Sequence, residues 1–157
     1  MKNKIIRIFF LGVFFLIFPL KNSYAKNFEF FANELKVLNE GNLLVGNTNV
    51  KILSEGQEIK ADKFEYDKTN LHLKLLGNVR VIDTLKDTII NGDQIDYFEK
   101  LDKFFAKGDV KIKVQNKYTI DSSNLTYLKA EEYFFSENKS IFKDKIGNKF
   151  ELDTLHY

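Results

Sequence analysis

Apolar and polar residues alternate at a period of two along almost all of the chain beyond residue 25. The clearest case is residues 71–81, where Leu71, Leu73, Leu75, Val79 and Val81 share one parity with Gly77 in the same row. One repeat later, Phe104, Ala106, Gly108, Val110, Ile112 and Val114 restore the arrangement, again with a glycine in the row. Period two marks a β-strand with one buried face, and no helical stripe competes with it. The Leu76-Gly77-Asn78-Val79 and Lys107-Gly108-Asp109-Val110 phrases read either as tight hairpin turns or as kinks inside long strands. Apolar parity continues across each glycine, which favours the kinked strand.

Between these strands a six-residue phrase occurs five times, starting at Ala32, Ala61, Gly92, Ser122 and Leu152. It runs small, then Asp, Asn or Ser, then any residue, then aliphatic or Phe, then polar, then usually Tyr. The steps between starts are 29, 31, 30 and 30 residues. A fixed period means one supersecondary unit stacked repeatedly, none of which buries its apolar face alone. Inside each phrase the parity slips by one: Ile59 and Ala61 precede Phe64 and Tyr66, and Ile90 and Gly92 precede Ile95 and Tyr97. A slip of one sends side chains to the opposite face unless a bulge or corner intervenes. Every strand of this type is therefore expected to bend over the core, with Asp62, Asp93, Ser123 and Asp153 placed to satisfy amides at the bend.

Turn signals separate the strands at Asn39-Glu40-Gly41-Asn42, Ser54-Glu55-Gly56-Gln57, Lys68-Thr69-Asn70, Leu85-Lys86-Asp87, Asn116-Lys117, Ala130-Glu131 and Ile146-Gly147-Asn148. Connections this short join antiparallel neighbours and leave no room for helical crossovers. The prediction is an all-β meander, two long bent strands per thirty-residue unit, closed or folded into a two-layer roll.

Residues 1–25 stand apart. Lys2, Lys4 and Arg7 precede an apolar run, and Ser23-Tyr24-Ala25 offers small residues at the −3 and −1 positions of a cleavage site. That is the form of a secretory signal peptide, with an uncleaved anchor as the alternative. The domain proper is then 26–157. The whole chain holds 24 basic and 22 acidic residues; the segment takes four basic ones with it, which leaves 20 against 22 and a net of −2. No basic excess remains for phosphates, so nucleic acid is not an expected partner. There is no Cys, hence no disulfide framework, and the single Pro, Pro19, falls inside the export segment. A chain otherwise free of proline suits uninterrupted ladders.

No catalytic site is predicted. His72 and His156 fall at polar positions of strands, without the partners a general base or ligand needs. Ser122-Ser123 has neither a nucleophile elbow nor a paired base. Calcium needs 6–8 oxygens, which one Asp per repeat does not supply. No metal or cofactor is expected.

The ordered phrases Ile59-Lys60-Ala61-Asp62-Lys63-Phe64-Glu65-Tyr66, Leu76-Gly77-Asn78-Val79-Arg80-Val81, Ile90-Asn91-Gly92-Asp93-Gln94-Ile95-Asp96-Tyr97 and Ala106-Lys107-Gly108-Asp109-Val110 resemble the OstA-like (organic-solvent-tolerance) family of lipopolysaccharide transport proteins. The resemblance covers roughly Phe30 to Tyr157. It implies a V-shaped antiparallel β-jellyroll in the periplasm whose apolar interior shelters lipid A acyl chains of lipopolysaccharide and which docks edge to edge with other jellyroll domains. The family holds both a free periplasmic bridge protein and the amino-terminal domain of an outer-membrane barrel that assembles lipopolysaccharide. The end of this chain on the last residue of a phrase favours the second, as a truncated domain. The implied lipid groove comprises Phe64, Leu73, Leu75, Val79, Val81, Ile95, Phe104, Val110, Ile112 and Leu125.

The same inner row serves a packed core equally well, and the sequence leaves that choice open. Phe105, Tyr133 and Phe134 are candidates for the groove mouth or for ordinary cross-strand pairs. A rival architecture is a β-solenoid or adhesin-like surface module with no lipid ligand. It would need parallel coils, against which the hairpin turns speak.

Overall fold

A computed structural model describes residues 27–157. The export-segment reading of residues 1–25 lies outside them. The described chain is one antiparallel sheet of 12 strands. Six long strands form its centre: β3 (Leu43–Ser54), β4 (Gln57–Asp67), β5 (His72–Asp83), β6 (Thr88–Phe98), β7 (Lys103–Val114) and β8 (Tyr118–Leu128), each paired with its sequence neighbour. At the flanks the long strand breaks in two. β1 (Glu29–Phe31) and β2 (Glu34–Leu38) both pair with β3. β9 (Tyr133–Ser136) and β10 (Ser140–Asp144) both pair with β8, and β12 (Leu155–His156) and β11 (Lys149–Leu152) cover those in turn. The predicted hairpin turns all separate consecutive strands, and 3-10 turns close Asn39–Gly41 and Glu99–Leu101.

The pairing shows where the strands bend. Between β3 and β4 the register jumps from Asn47/Lys63 to Val50/Ala61, so Thr48 and Asn49 stand opposite the single residue Asp62. The same two-against-one bulge recurs with Gly77-Asn78 facing Asp93 and with Gly108-Asp109 facing Ser123. All six bulge residues have positive φ: 63° and 53°, 75° and 46°, 68° and 40°. The glycine phrases are thus in-strand kinks rather than hairpin turns, as parity implied. The parity slip in the repeated phrase is the other side of the same corner. Asp62 does reach a neighbouring strand, where Asn78 Nδ2 donates to its Oδ2 at 2.8 Å. Its carboxylate and that of Asp93 lie over Gly77 and Gly108, where an added Cβ would come within 2.4 and 2.2 Å. The corner acid therefore explains why the adjacent bulge carries glycine.

Bent along this line, the sheet folds onto itself as two layers. One layer contains β2, β9, β12 and the halves 43–47, 63–67, 72–76, 94–98, 103–107 and 124–128. The other contains β1, β10, β11 and the halves 50–54, 57–61, 79–83, 88–92, 110–114 and 118–122. Their inner faces form one apolar core, with Ile52, Phe64, Leu73, Leu75, Ile95, Ile112 and Ile120 wholly inaccessible. The architecture is the antiparallel jellyroll expected. The strand pairs are antiparallel throughout, which removes the solenoid as a fold.

Candidate functional site: the interior and its mouth

All ten predicted groove residues lie between the two layers. Phe64, Leu73, Leu75, Ile95, Phe104 and Leu125 come from one side, and Val79, Val81, Val110 and Ile112 from the other. The fold brings them together because each occupies the inward parity of its strand, with the bulge restoring that parity after the bend. In this closed arrangement all ten are buried, and the layers pack directly on one another. A wide cleft of about 810 Å³ lies elsewhere, on the convex outer side of the bend. Asn91, Asp109, Lys111, Asp121, Lys139 and Glu151 line it, a solvated mixture of charges.

Opposite the bend is the mouth, where the hairpin turns of one layer face those of the other. The tyrosine that ends the repeated phrase sits just inside it. Tyr66, Tyr97 and Tyr127 stand at equal register on β4, β6 and β8, with Leu73 and Phe104 on the strands between and Phe134 next in the row on β9. Tyr97 stacks on Phe104 with centroids 4.4 Å apart, and Tyr127 on Phe134 at 4.2 Å. Phe134, a candidate for the groove mouth or a cross-strand pair, is buried in this row as the cross-strand partner of Tyr127, whereas Phe105 and Tyr133 lie half-buried on the outer face. The phenols are turned to the turns above them: Tyr66 Oη donates to Glu99 Oε1 and Tyr97 Oη to Asp102 Oδ1, both at 2.7 Å. Burial first, and the adjacent carboxylate second, push both hydroxyls well above the ordinary phenol range. Tyr127 is pushed up as well, chiefly by burial.

Contacts at three places close the mouth between layers. At the amino-terminal flank Phe30 stacks on Phe64 at 4.9 Å, and Phe28 meets Tyr66 and Tyr97 edge-on. At the other flank Tyr118 and Phe142 meet Tyr157 at 5.3 and 5.6 Å. The centre is ionic. Lys129 Nζ lies 2.7 Å from Asp83 Oδ2, and Lys86 pairs with Glu132. Beside these pairs a small cleft of about 140 Å³ runs between the layers, lined by Lys86, Thr88 and Val114 on one side and by Tyr127, Glu132 and Phe134 on the other.

The sequence pattern marks residues 85–87 and 130–131 only as turns and does not mark this ionic centre. A signal was present. Asp83 continues the inward row Val79, Val81, and Lys129 continues Leu125, Tyr127, so each places a charge on apolar parity at a strand end. Both are buried, at 3% and 8% exposure.

The remaining polar groups serve the outer surface and the last corner. His72 Nε2 lies 2.8 Å from Asp96 Oδ1 while its ring stacks on Phe98 at 4.6 Å. His156 Nδ1 lies 2.5 Å from Tyr133 Oη. Neither histidine faces the interior. Ser122, Ser136 and Ser140 bond one another where the fourth corner breaks into β9 and β10, Ser140 Oγ donating to Ser122 Oγ at 3.0 Å. Among the described residues no three of His, Cys, Asp and Glu converge on a point that would suit a metal.

Solved structures share this geometry. LptH of Pseudomonas aeruginosa, described as the LptA-homologous periplasmic component of the conserved lipopolysaccharide transport device, superposes with a TM-score of 0.63. The match covers 69% of this chain and 80% of that one at 12% identity. At that identity the likeness is one of fold. No family model and no curated protein sequence matches the chain.

Proposed function

We propose that this protein is a non-enzymatic carrier of lipopolysaccharide in the periplasm, sheltering lipid A acyl chains between the two layers of the roll. The observation that carries the reading is a two-layer jellyroll, shared with LptH, whose interior is apolar from bend to mouth and whose mouth is shut by side-chain contacts alone. Among the described residues no backbone ladder crosses the mouth, so parting the layers there breaks no sheet hydrogen bonds. Each methylene taken from water is worth about 0.8 kcal/mol, and a ligand with several acyl chains offsets the loss of ring-to-ring contact. Residues such as Leu73 and Ile112 would then line the groove.

The flanks support edge-to-edge docking with other jellyroll domains of a transport bridge, or with an outer-membrane barrel if the chain is part of one. β2 leaves Leu35 at 48% and Val37 at 63% exposure, and at the opposite end β11 leaves Phe150 at 51%. Sheet edges of this kind, with apolar side chains and unpaired backbone groups, accept an added strand. Export would rest on residues 1–25 acting as a cleaved signal.

Photoactivatable residues at Leu73 and Ile112 test the proposal in cells of the source organism. Capture of lipopolysaccharide at both positions is the expected result. Capture of neighbouring protein alone would make the roll a structural module.

A further inference from the structure

We propose that Asp83–Lys129 and Lys86–Glu132 form a latch across the mouth, opened by an amphiphile whose anionic headgroup takes over the two lysines. The inference rests on the carrier reading above and adds to it the point of entry and the charge of the headgroup.

Both pairs join opposite layers. Asp83 ends β5 and Lys86 belongs to the turn after it, whereas Lys129 and Glu132 flank the turn between β8 and β9. The aromatic contacts at the two flanks are apolar, and water reinforces them. The central pairs are the part of the closure that a charged group can exchange.

The latch is asymmetric in a way that gives the headgroup its sign. Asp83 is held within its own layer: Gln57 Nε2 donates to its Oδ2 at 3.0 Å, and the amides of Leu85 and Lys86 donate to its Oδ1 at 3.0 Å. When the layers part, this carboxylate keeps three donors. Lys129 reaches across the mouth for its carboxylate, and parting strips it of that partner. Lys86 likewise loses Glu132, which is half exposed and readily hydrated. The opened mouth therefore presents two ammonium groups in need of an anion, beside carboxylates that keep partners without them: Asp83 holds its three donors, Glu99 and Asp102 accept from Tyr66 and Tyr97, and Glu132 is hydrated. Just beneath lies the small cleft floored by Tyr127 and Phe134, the first apolar surface that a tail would meet. A phosphate- or carboxylate-headed amphiphile fits this sequence of surfaces, and a neutral or cationic one fits it less well.

The chain has no cysteine, so the latch can be tied without side reactions. In the Lys86→Cys/Glu132→Cys variant, a short bismaleimide bridges the two layers at solvent-facing positions. Binding of dodecyl phosphate and of dodecyl maltoside, both below their micelle concentrations, is measured by titration calorimetry. Wild type is expected to prefer dodecyl phosphate by roughly tenfold, the scale of one charge-assisted contact. The bridged protein should lose binding that the unbridged variant keeps, and Lys86→Gln/Lys129→Gln should bind both amphiphiles alike. Lys86→Gln alone, at a half-buried turn position outside the apolar core, should lose part of the preference. Equal binding by bridged and unbridged protein, or a preference that survives loss of the lysines, would overturn the latch and leave the carrier reading standing. Failure of wild type to bind either amphiphile would sink both.

Discussion

The two layers enclose the same interior with different side chains. On its central strands one layer buries Val50, Ile52, Ile59, Val79, Val81, Ile90, Val110, Ile112, Val114 and Ile120, almost wholly β-branched. The layer facing it buries Phe64, Tyr66, Leu73, Leu75, Tyr97, Phe104, Leu125, Tyr127 and Phe134, with Ala106 and a single β-branched residue, Ile95, among them. Val and Ile are stiff at χ1 and short, so they make a flat wall with high strand propensity. Rings and leucines reach further and fill the space between the layers from one side. The interior is thus a smooth wall and a deep pile.

The largest expected effect breaks this comparison at its deepest point. Phe104 is 1% exposed and stacks between Tyr97 and Tyr127. Phe104→Ala should cost about 3–5 kcal/mol, the loss of buried ring area plus a cavity that neighbours fill only in part. In the wall, Ile112→Val removes one methyl from a wholly buried site and should cost about 0.5–1.5 kcal/mol. Urea unfolding of both variants is the measurement. Equal costs would mean that the two layers share the filling, contrary to their composition.

The tyrosines of the pile sharpen the same point through pH. Tyr66, Tyr97 and Tyr127 are all raised in the folded protein by burial, and the first two also by hydrogen bonds to carboxylates. In the unfolded chain they ionise near the reference value of about 10. A raised folded pKa contributes stability that is complete below about pH 10 and is lost as pH climbs from there toward the folded value. Absorbance at 295 nm should therefore reach only part of its final amplitude by about pH 11 while the sheet is intact, the rest appearing together with loss of the circular-dichroism signal. Complete ionisation of an intact sheet would show the phenols to be open to water.

Much of this plan could be read from the chain. The parity of Leu73, Leu75, Val79 and Val81 identifies the inner row because a strand has only two faces and one is buried. The repeated slip between Ala61 and Phe64 locates the corner, since only a bulge reconciles it with that row. The division of the core into wall and pile was not legible, because alternation assigns a residue to a face and is silent on which layer the bend assigns it to. The latch was missed for a related reason. Asp83 and Lys129 are 46 positions apart in sequence, and each reads as the polar start of a turn until the fold lays one turn against the other. Whether the ten inner residues line a groove or a permanent core depends on the free energy of parting the layers, which no pattern of types encodes.

The smallest effects lie on the line where wall and pile meet. Two of the three central bulges use glycine first, Gly77 and Gly108, and the remaining one uses Thr48 at φ 63°. A β-branched residue in the left-handed region is strained, by roughly 1–2 kcal/mol relative to glycine. Thr48→Gly should therefore stabilise the protein, by about 1 kcal/mol once the greater freedom of glycine in the unfolded chain is set against the gain. Gly108→Ala works in the opposite direction and further, because its Cβ would also meet the Asp93 carboxylate at 2.2 Å. Pairing Gly108→Ala with Asp93→Ala removes the carboxylate part of that second cost, leaving the Asp93 Cβ at 2.9 Å and the backbone strain. If the double variant is as unstable as Gly108→Ala alone, the corner acid is not what reserves the site for glycine. The thirty-residue repeat would then owe its Gly and Asp to the turn geometry of each bulge separately, and not to the contact between neighbouring strands that keeps the bends in line.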